Sequence, residues 1–74
     1  MDVLNYNPPL KPYLDIIFQD DDILVLNKPS GLLSVPGKKH ADCLQARVRR
    51  VFPTATVVHR LDMATSGLMV MTLN

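Results

Sequence analysis

The sequence is poor in the features that mark secreted and membrane proteins. Cys43 is the single cysteine among 74 residues, so no internal disulfide can form and nothing favours an oxidising compartment. No apolar run approaches the roughly 18 residues that a membrane helix needs. The amino terminus has Asp2 and Asn5 where a secretory signal would carry basic residues and then an apolar segment. These absences predict a soluble, cytoplasmic protein with no membrane partner.

The sequence also lacks motifs that hold a metal or a cofactor. Only 3 glycines are present, and neither a dinucleotide-binding fingerprint nor a P-loop occurs. Four residues in the second half of the chain are candidate zinc ligands because of their types: His40, Asp42, Cys43 and His59. No pair of them shows the short two-cysteine or two-histidine spacing of such a site. We therefore expect neither a cofactor nor a metal.

The composition that remains is globular, with 47% apolar and 20% charged residues. At this length the chain can bury only a marginal core, in one domain at most. Charge is unevenly distributed: residues 1–37 have a balance of minus three, and residues 38–60 a balance of plus five. A basic segment suits a phosphate-bearing partner, although a solvated protein face explains such a run as well.

The sequence pattern of the first half of the chain predicts an extended arm followed by a β-hairpin. Residues 1–13 contain three prolines, which disfavour a helix or a central strand and indicate an extended arm. Residues 14–19 and 23–26 are rich in strand-forming apolar residues, and three aspartates at positions 20–22 separate them. This pattern is typical of two antiparallel strands joined by a solvated turn.

A short helix is predicted after residue 42. Asp42 can cap its amino terminus, and Pro53 can stop it. Apolar residues recur at helical spacing in this order: Leu44, Val48, Val51 and Phe52. Arg47 and Arg50 lie one turn apart and are expected on the opposite, solvated face. They are secondary candidates for phosphate binding, and a solvated helix face accounts for them equally well.

The densest polar chemistry lies between two apolar runs, in residues 57–67. The flanking runs predict strands, so this stretch is a strand-to-strand connection, where catalytic groups concentrate. If the backbone stays extended, Arg60 and Asp62 project to the same side. The guanidinium would then favour the ionised carboxylate, which is a competent nucleophile or base. A surface ion pair of little consequence is the alternative.

Two stretches resemble motifs of the RluA-type pseudouridine synthases. His59-Arg60-Leu61-Asp62, followed by Ala64-Thr65-Ser66-Gly67-Leu68, is similar to the central motif of that family, in which the aspartate is catalytic. Residues 27–37 resemble the first shared motif, whose role is structural support near the active site. The resemblance implies that Asp62 is the catalytic carboxylate of an enzyme that isomerises uridine to pseudouridine in RNA.

The resemblance also implies roles for other residues. Arg60 would hold the flipped nucleotide, either by filling the vacated stack or by pairing with Asp62. Independently of the resemblance, strand alternation would place His59 on the side opposite Asp62, where it would orient the loop or contact RNA. Arg47 and Arg50 remain further RNA-binding candidates. The expected partner is a stem-loop of ribosomal RNA or tRNA, and DNA is not expected.

The expected fold class is α+β, with a mostly antiparallel sheet and one short helix. Residues 67–73 form a continuous apolar run that requires cover on both faces, which predicts that residues 14–74 are the truncated amino-terminal portion of a larger catalytic domain. We expect such a fragment to be inactive, marginally folded, or self-associated through uncovered strands. The alternatives are a small non-catalytic RNA-binding module and a fragment that adds a strand to a partner sheet.

Overall fold

The computed structural model describes residues 6–74 and shows a four-stranded antiparallel sheet packed against one helix. The elements in chain order are β1 (Ile16–Gln19), β2 (Ile23–Lys28), α1 (Leu44–Val51), β3 (Thr56–Val57) and β4 (Gly67–Thr72). The strands lie in the order β1-β2-β4-β3, and all three pairings are antiparallel. The expected α+β class with one short helix is thereby confirmed.

The hairpin of β1 and β2 is also confirmed, and its turn is built by one aspartate. The Asp20 carboxylate accepts hydrogen bonds from the amides of Asp22 and Ile23, both at 2.8 Å. These bonds lower the pKa of Asp20, because they favour its charged form. An aspartate that binds the amides that follow it closes a tight turn, which explains why the chain reverses here.

β4 is an inner strand of the sheet and is covered on one face only. It pairs with all six residues of β2 and with both residues of β3. Met69 and Met71 are fully buried, whereas Leu68, on the opposite face, is 58% exposed. β4 is therefore apolar on both faces, but residues 6–74 cover only the face that carries Met69 and Met71.

The core lies between the covered face of the sheet and α1. Alternate residues of β2 and β4 point into it, as the two-residue period of a strand requires. Its members are Leu24, Leu26, Leu32, Leu44, Val48, Ala55, Met69 and Met71.

The helix differs from the prediction at its start. Its amino-terminal cap is Cys43, whose sulfur accepts a hydrogen bond from the Ala46 amide at 3.3 Å, so the prediction that Asp42 caps the helix was wrong. Burial raises the pKa of the Cys43 thiol. The helix ends at Val51, in agreement with the predicted stop at Pro53.

The prediction that Arg47 lies on a solvated face was also wrong. Arg47 is only 1% exposed, and its guanidinium donates to both carboxylate oxygens of Asp42, at 2.9 and 2.8 Å. It also donates to the Tyr13 carbonyl and stacks over the Tyr13 ring. The physical reason is the helical spacing: Arg47 is three residues after Leu44 and adjacent to Val48, so all three share the buried face.

The described part of the predicted arm contacts the region around the start of α1. The Tyr6 hydroxyl donates to the Asp42 carbonyl at 2.9 Å and accepts from the Leu33 amide at 3.0 Å. Residues 6–13 contain neither helix nor strand. The first five residues of the predicted arm lie outside the described residues.

Candidate active site

The connection between β3 and β4 borders an open cleft. Residues 58–66, here called the site loop, contain neither helix nor strand. Residues 60–63 form one wall of the cleft, and residues 33–35 form the other. The cleft has a volume of about 350 Å³, which is large enough to admit part of a small ligand.

Asp62 is exposed at this cleft. Its carbonyl accepts a hydrogen bond from the Thr65 amide at 2.9 Å, which closes a four-residue turn. Within residues 6–74, no group donates to the Asp62 carboxylate. Among these residues the carboxylate therefore lines the cleft without a hydrogen-bond partner, although Lys28 is close enough for the two charges to interact.

Arg60 lines the same cleft and is exposed, but its guanidinium forms no ion pair with Asp62 in the described structure. The prediction of a guanidinium beside the carboxylate was therefore wrong. Its premise was an extended backbone through residue 62. β3 ends at Val57, so strand alternation does not continue into the site loop, and residues 60–63 all border the cleft.

His59 is held by the sheet. Its Nε2 atom accepts a hydrogen bond from the Val70 amide of β4 at 3.1 Å. Because β3 stops at Val57, the imidazole satisfies an amide next to the place where strand pairing ends. This contact attaches the start of the site loop to β4, and RNA contact by His59 stays a prediction.

Residues 28–34, here called the clamp segment, lead into the other wall of the cleft, to which Leu33 and Ser34 contribute. Lys28 at its start is fully buried, and its ammonium donates to three carbonyls: Pro29 at 3.0 Å, Leu32 at 2.7 Å and Met63 at 3.1 Å. Burial lowers the pKa of Lys28, and the nearby Asp62 charge acts in the opposite direction. The buried lysine thus joins the clamp segment to the residue after Asp62.

Three further residues of the clamp segment bind the site loop. The Gly31 amide donates to the Met63 carbonyl at 2.8 Å, and the Ser30 hydroxyl donates to the Ala64 carbonyl at 2.7 Å. The buried Ser34 hydroxyl donates to the Leu61 carbonyl at 2.6 Å and accepts from the Leu61 amide at 3.0 Å. The backbone is therefore held on both sides of Asp62.

Sequence comparison identifies the family. The family model described as RNA pseudouridylate synthase matches residues 22–74, a range that contains the clamp segment, the site loop and the cleft. The chain belongs to the RNA pseudouridylate synthase family.

Relatives of this synthase family match almost the whole chain. The dual-specificity RNA pseudouridine synthase RluA of Vibrio parahaemolyticus is 57% identical over 76 residues, which cover 100% of this chain and 30% of the relative. The proteins of the same name in Escherichia coli strain K12 and Salmonella typhi are 57% and 56% identical over 75 residues, covering 99% of this chain and 34% of each relative. The chain thus spans about a third of the length of the curated relatives it matches.

The structure of this synthase-family chain brings together only part of the predicted site. Arg60 and Asp62 line one cleft, and His59 lies at the edge of the sheet beside it. Arg47 is buried and its guanidinium donates to the Asp42 carboxylate. Arg50 donates to the Tyr13 hydroxyl at 3.2 Å. Neither of these two arginines lines the cleft.

Sequence reasoning missed the individual roles of Lys28 and Ser34. Residues 27–37 were predicted to support the site through their resemblance to the synthase family, without a role for either side chain. One signal was available for Lys28: it has the same strand parity as the core residues Leu24 and Leu26, which places it on the buried face. Ser34 lies outside any regular element, so no periodicity indicates its contacts.

The described residues also bear on two other kinds of site. No three histidine, cysteine, aspartate or glutamate side chains among residues 6–74 are grouped so that they could hold a metal ion. In the same range, no helix has the length and apolar character that crossing a membrane requires.

Proposed function

We propose that residues 1–74 form the amino-terminal part of an RNA pseudouridine synthase in which Asp62 is the catalytic carboxylate. One observation carries this proposal: the unpartnered Asp62 carboxylate faces an open cleft on a loop whose backbone is held on both sides. Family membership supplies the reaction class. The names of the relatives specify dual-specificity RNA pseudouridine synthases, and we propose ribosomal RNA and tRNA as substrates.

The reaction needs a carboxylate beside the glycosidic bond of uridine. The bond between ribose C1′ and uracil N1 breaks, the base turns, and a bond forms between C1′ and C5. The proton lost from C5 is balanced by the proton gained at N1, so the reaction is an isomerisation. Asp62 would attack the sugar or the base as a nucleophile, or remove a sugar proton as a base. A carboxylate can also stabilise the positive charge that develops at the anomeric carbon.

Arg60 is proposed to hold the displaced nucleotide. A uridine stacked in folded RNA must be extruded before a side chain can reach its sugar. Arg60 is exposed at the cleft and is not paired with Asp62, so its planar guanidinium is available to fill the vacated stack. Of the two roles that the family resemblance implies for Arg60, this structure favours stacking over pairing with the carboxylate.

The isolated chain is proposed to be inactive. The relatives are about three times as long as the matched region, and within residues 6–74 the Asp62 carboxylate forms no ion pair at contact distance. Activity therefore requires the complete enzyme, by which we mean the protein in which residues 1–74 are followed by the rest of the catalytic domain. We propose that the complete enzyme acts on RNA in the cytoplasm.

The test is Asp62→Asn in the complete enzyme. The substitution keeps the size of the side chain but removes its charge and nucleophilicity, so pseudouridine formation should fall by at least about 10³-fold. Turnover is measured as tritium released from C5 of labelled uridine in RNA, and RNA affinity is measured separately. The matched control is Asp21→Asn in the exposed hairpin turn, which should leave turnover unchanged.

Two results would contradict the proposal. Turnover that survives in Asp62→Asn would show that another group performs the chemistry. RNA binding without turnover in the unsubstituted complete enzyme would favour the small RNA-binding module, whose surface would include the exposed basic residues among positions 38–60.

A further inference from the structure

The hydroxyl of Ser34 makes two hydrogen bonds to the same residue. It donates to the Leu61 carbonyl at 2.6 Å and accepts from the Leu61 amide at 3.0 Å. Ser34 is 3% exposed, so water does not compete strongly for either bond. A donor and an acceptor fixed by one hydroxyl leave the backbone of Leu61 little freedom to rotate.

Leu61 is the residue immediately before Asp62, so its peptide sets the direction in which the Asp62 side chain leaves the backbone. The Leu61 side chain is half-buried against the core, which fixes its position from the other side. Among residues 6–74, Ser34 is the one residue whose side chain hydrogen-bonds the Leu61 backbone. The carbonyl of Met63, on the other side of Asp62, is held twice, by Lys28 and by the Gly31 amide.

Ser30 offers a natural comparison within the clamp segment. Its hydroxyl also donates to a carbonyl of the site loop, that of Ala64, at 2.7 Å. It is exposed to solvent, however, and its contact lies two residues after Asp62. Loss of the Ser30 hydroxyl lets water take its place at the carbonyl, whereas loss of the Ser34 hydroxyl leaves an amide and a carbonyl without their buried partner.

We propose that Ser34 is a positioning residue for Asp62: its hydroxyl orients the Leu61 peptide so that the carboxylate points into the cleft. This inference rests on the proposed function of Asp62 and adds a residue to that site. Ser34 acts through the backbone and does not touch the substrate. Its contribution belongs to the geometry of the reacting group, where displacements of about 1 Å lower rates by about 100-fold.

The experiment compares Ser34→Ala with Ser30→Ala in the complete enzyme. Ser34→Ala should lower kcat by about 10-fold to 100-fold and change the KM for RNA by less than about 3-fold, because orientation of the carboxylate affects the chemical step and not RNA capture. Ser30→Ala should leave kcat within about 2-fold of the parent. Ser34→Thr, which keeps the hydroxyl, should recover most of the loss.

A second readout follows the contact itself. Exchange of the Leu61 amide hydrogen with solvent deuterium should be at least about 10-fold faster in Ser34→Ala than in the parent, and unchanged in Ser30→Ala. Thermal unfolding, measured in parallel, gives the folded fraction at the assay temperature. A purely structural role predicts a kcat that follows this folded fraction, and the proposal predicts a loss of kcat in fully folded protein.

Three results would overturn the inference: a kcat for Ser34→Ala within about 2-fold of the parent, equal impairment of Ser34→Ala and Ser34→Thr, or a loss that the folded fraction explains. If Ser34→Ala does not fold, Ser34→Cys replaces it, because a thiol is a weaker donor and acceptor. A Cys variant with parental kcat would then overturn the inference, and a reduced kcat that Thr restores would support it.

Failure of the proposed function gives a different pattern. If the complete enzyme is inactive with or without the Asp62 carboxylate, the proposed function fails. Leu61 amide exchange then decides by itself whether Ser34 orients the loop: acceleration in Ser34→Ala supports that part of the inference, and unchanged exchange overturns it.

Discussion

The site loop and β1 contrast in two properties, regular secondary structure and contact with the rest of the molecule. The site loop has no regular secondary structure, yet hydrogen bonds hold its backbone on both sides of Asp62. β1 is a regular strand, yet all four of its residues are exposed. A regular backbone and burial are therefore separate properties: β1 is regular but exposed, whereas the irregular site loop is held by its hydrogen-bond partners.

The cause lies in what each region contacts. The site loop meets the clamp segment, which is anchored by the fully buried Leu32 and Lys28. β1 pairs with β2 alone at the edge of the sheet, and the exposed fractions of Ile16, Ile17 and Phe18 are 41%, 55% and 51%. Polar groups supported by a core provide the rigidity that a functional site needs, whereas an edge strand gains little from burial.

Among the variants that test this contrast, Lys28→Met should lower the free energy of unfolding the most. The variant keeps the length and apolar stem of the side chain but leaves the carbonyls of Pro29 and Leu32 without the buried ammonium. The free energy of unfolding, measured by urea denaturation, should fall by about 2–4 kcal/mol. The control Lys38→Met, at an exposed position, should change it by less than about 0.5 kcal/mol. Equal values for the two variants would show that the clamp contributes no net stability.

Gly31→Ala should have the next largest effect. Gly31 has a φ of +93°, in the region that L side chains rarely adopt, and a Cβ there would lie 3.7 Å from the nearest atom, Cδ of Pro9. Backbone strain without a clash should therefore lower the free energy of unfolding by about 1–2 kcal/mol. Gly37→Ala is a comparison without this strain, because Gly37 lies outside that φ region, but a Cβ there would lie 3.3 Å from Cδ1 of Leu33, which must shift slightly. An unchanged free energy of unfolding in Gly31→Ala would contradict the strain argument.

Asp42→Asn should have a smaller, pH-dependent effect. The hydrogen bonds from Arg47 lower the pKa of Asp42 below its usual value of 3.8. The pair therefore contributes stability above about pH 4, and this contribution is lost as the pH falls through the lowered pKa. Because the carboxylate is 40% exposed, solvent screening limits the loss in Asp42→Asn at pH 7 to about 1 kcal/mol.

The measurement for Asp42 is urea unfolding at a series of pH values from about 2.5 to 7. The parent should lose more stability on acidification than the variant does. Asp20, whose pKa is also lowered, is present in both proteins, so part of the dependence of stability on pH should remain in both. Parallel curves for parent and variant would show that the contact with Arg47 is not the source of this dependence.

Ile17→Thr in β1 should have the smallest effect. Threonine suits a strand and Ile17 is 55% exposed, so the free energy of unfolding should change by less than about 0.5 kcal/mol. A loss above about 1.5 kcal/mol would mean that another surface covers β1 and would break the contrast with the site loop. Sedimentation of the parent would then show whether that surface is a second copy, as expected for a self-associating fragment.

The sequence predicted local features well and side-chain partners less well. The hairpin follows from two apolar runs around the aspartates at 20–22, and the helix end follows from Pro53, because each depends on neighbouring residues. Arg47 was misplaced although its spacing from Leu44 indicated burial. The expected contact between Arg60 and Asp62 was wrong because it assumed strand geometry beyond Val57, where β3 ends.

Asp62 itself was selected from the sequence through its resemblance to a family motif, and not from spacing alone. Its role as a catalytic carboxylate stays a prediction. The structure adds the surroundings that no local pattern could indicate: an open cleft, an Arg60 that lines it without an ion pair to Asp62, and a hydroxyl bound to the neighbouring peptide.

The sequence by itself determined which segments form strands and helix, since apolar periodicity and turn residues act over a few positions. Only the tertiary structure decided that Lys28 reaches a carbonyl 35 residues later and that Ser34 binds a peptide 27 residues later. Such partners depend on how distant segments meet around the core. A hydrogen-bonding side chain can satisfy any peptide brought within reach, so its own sequence context does not specify which one.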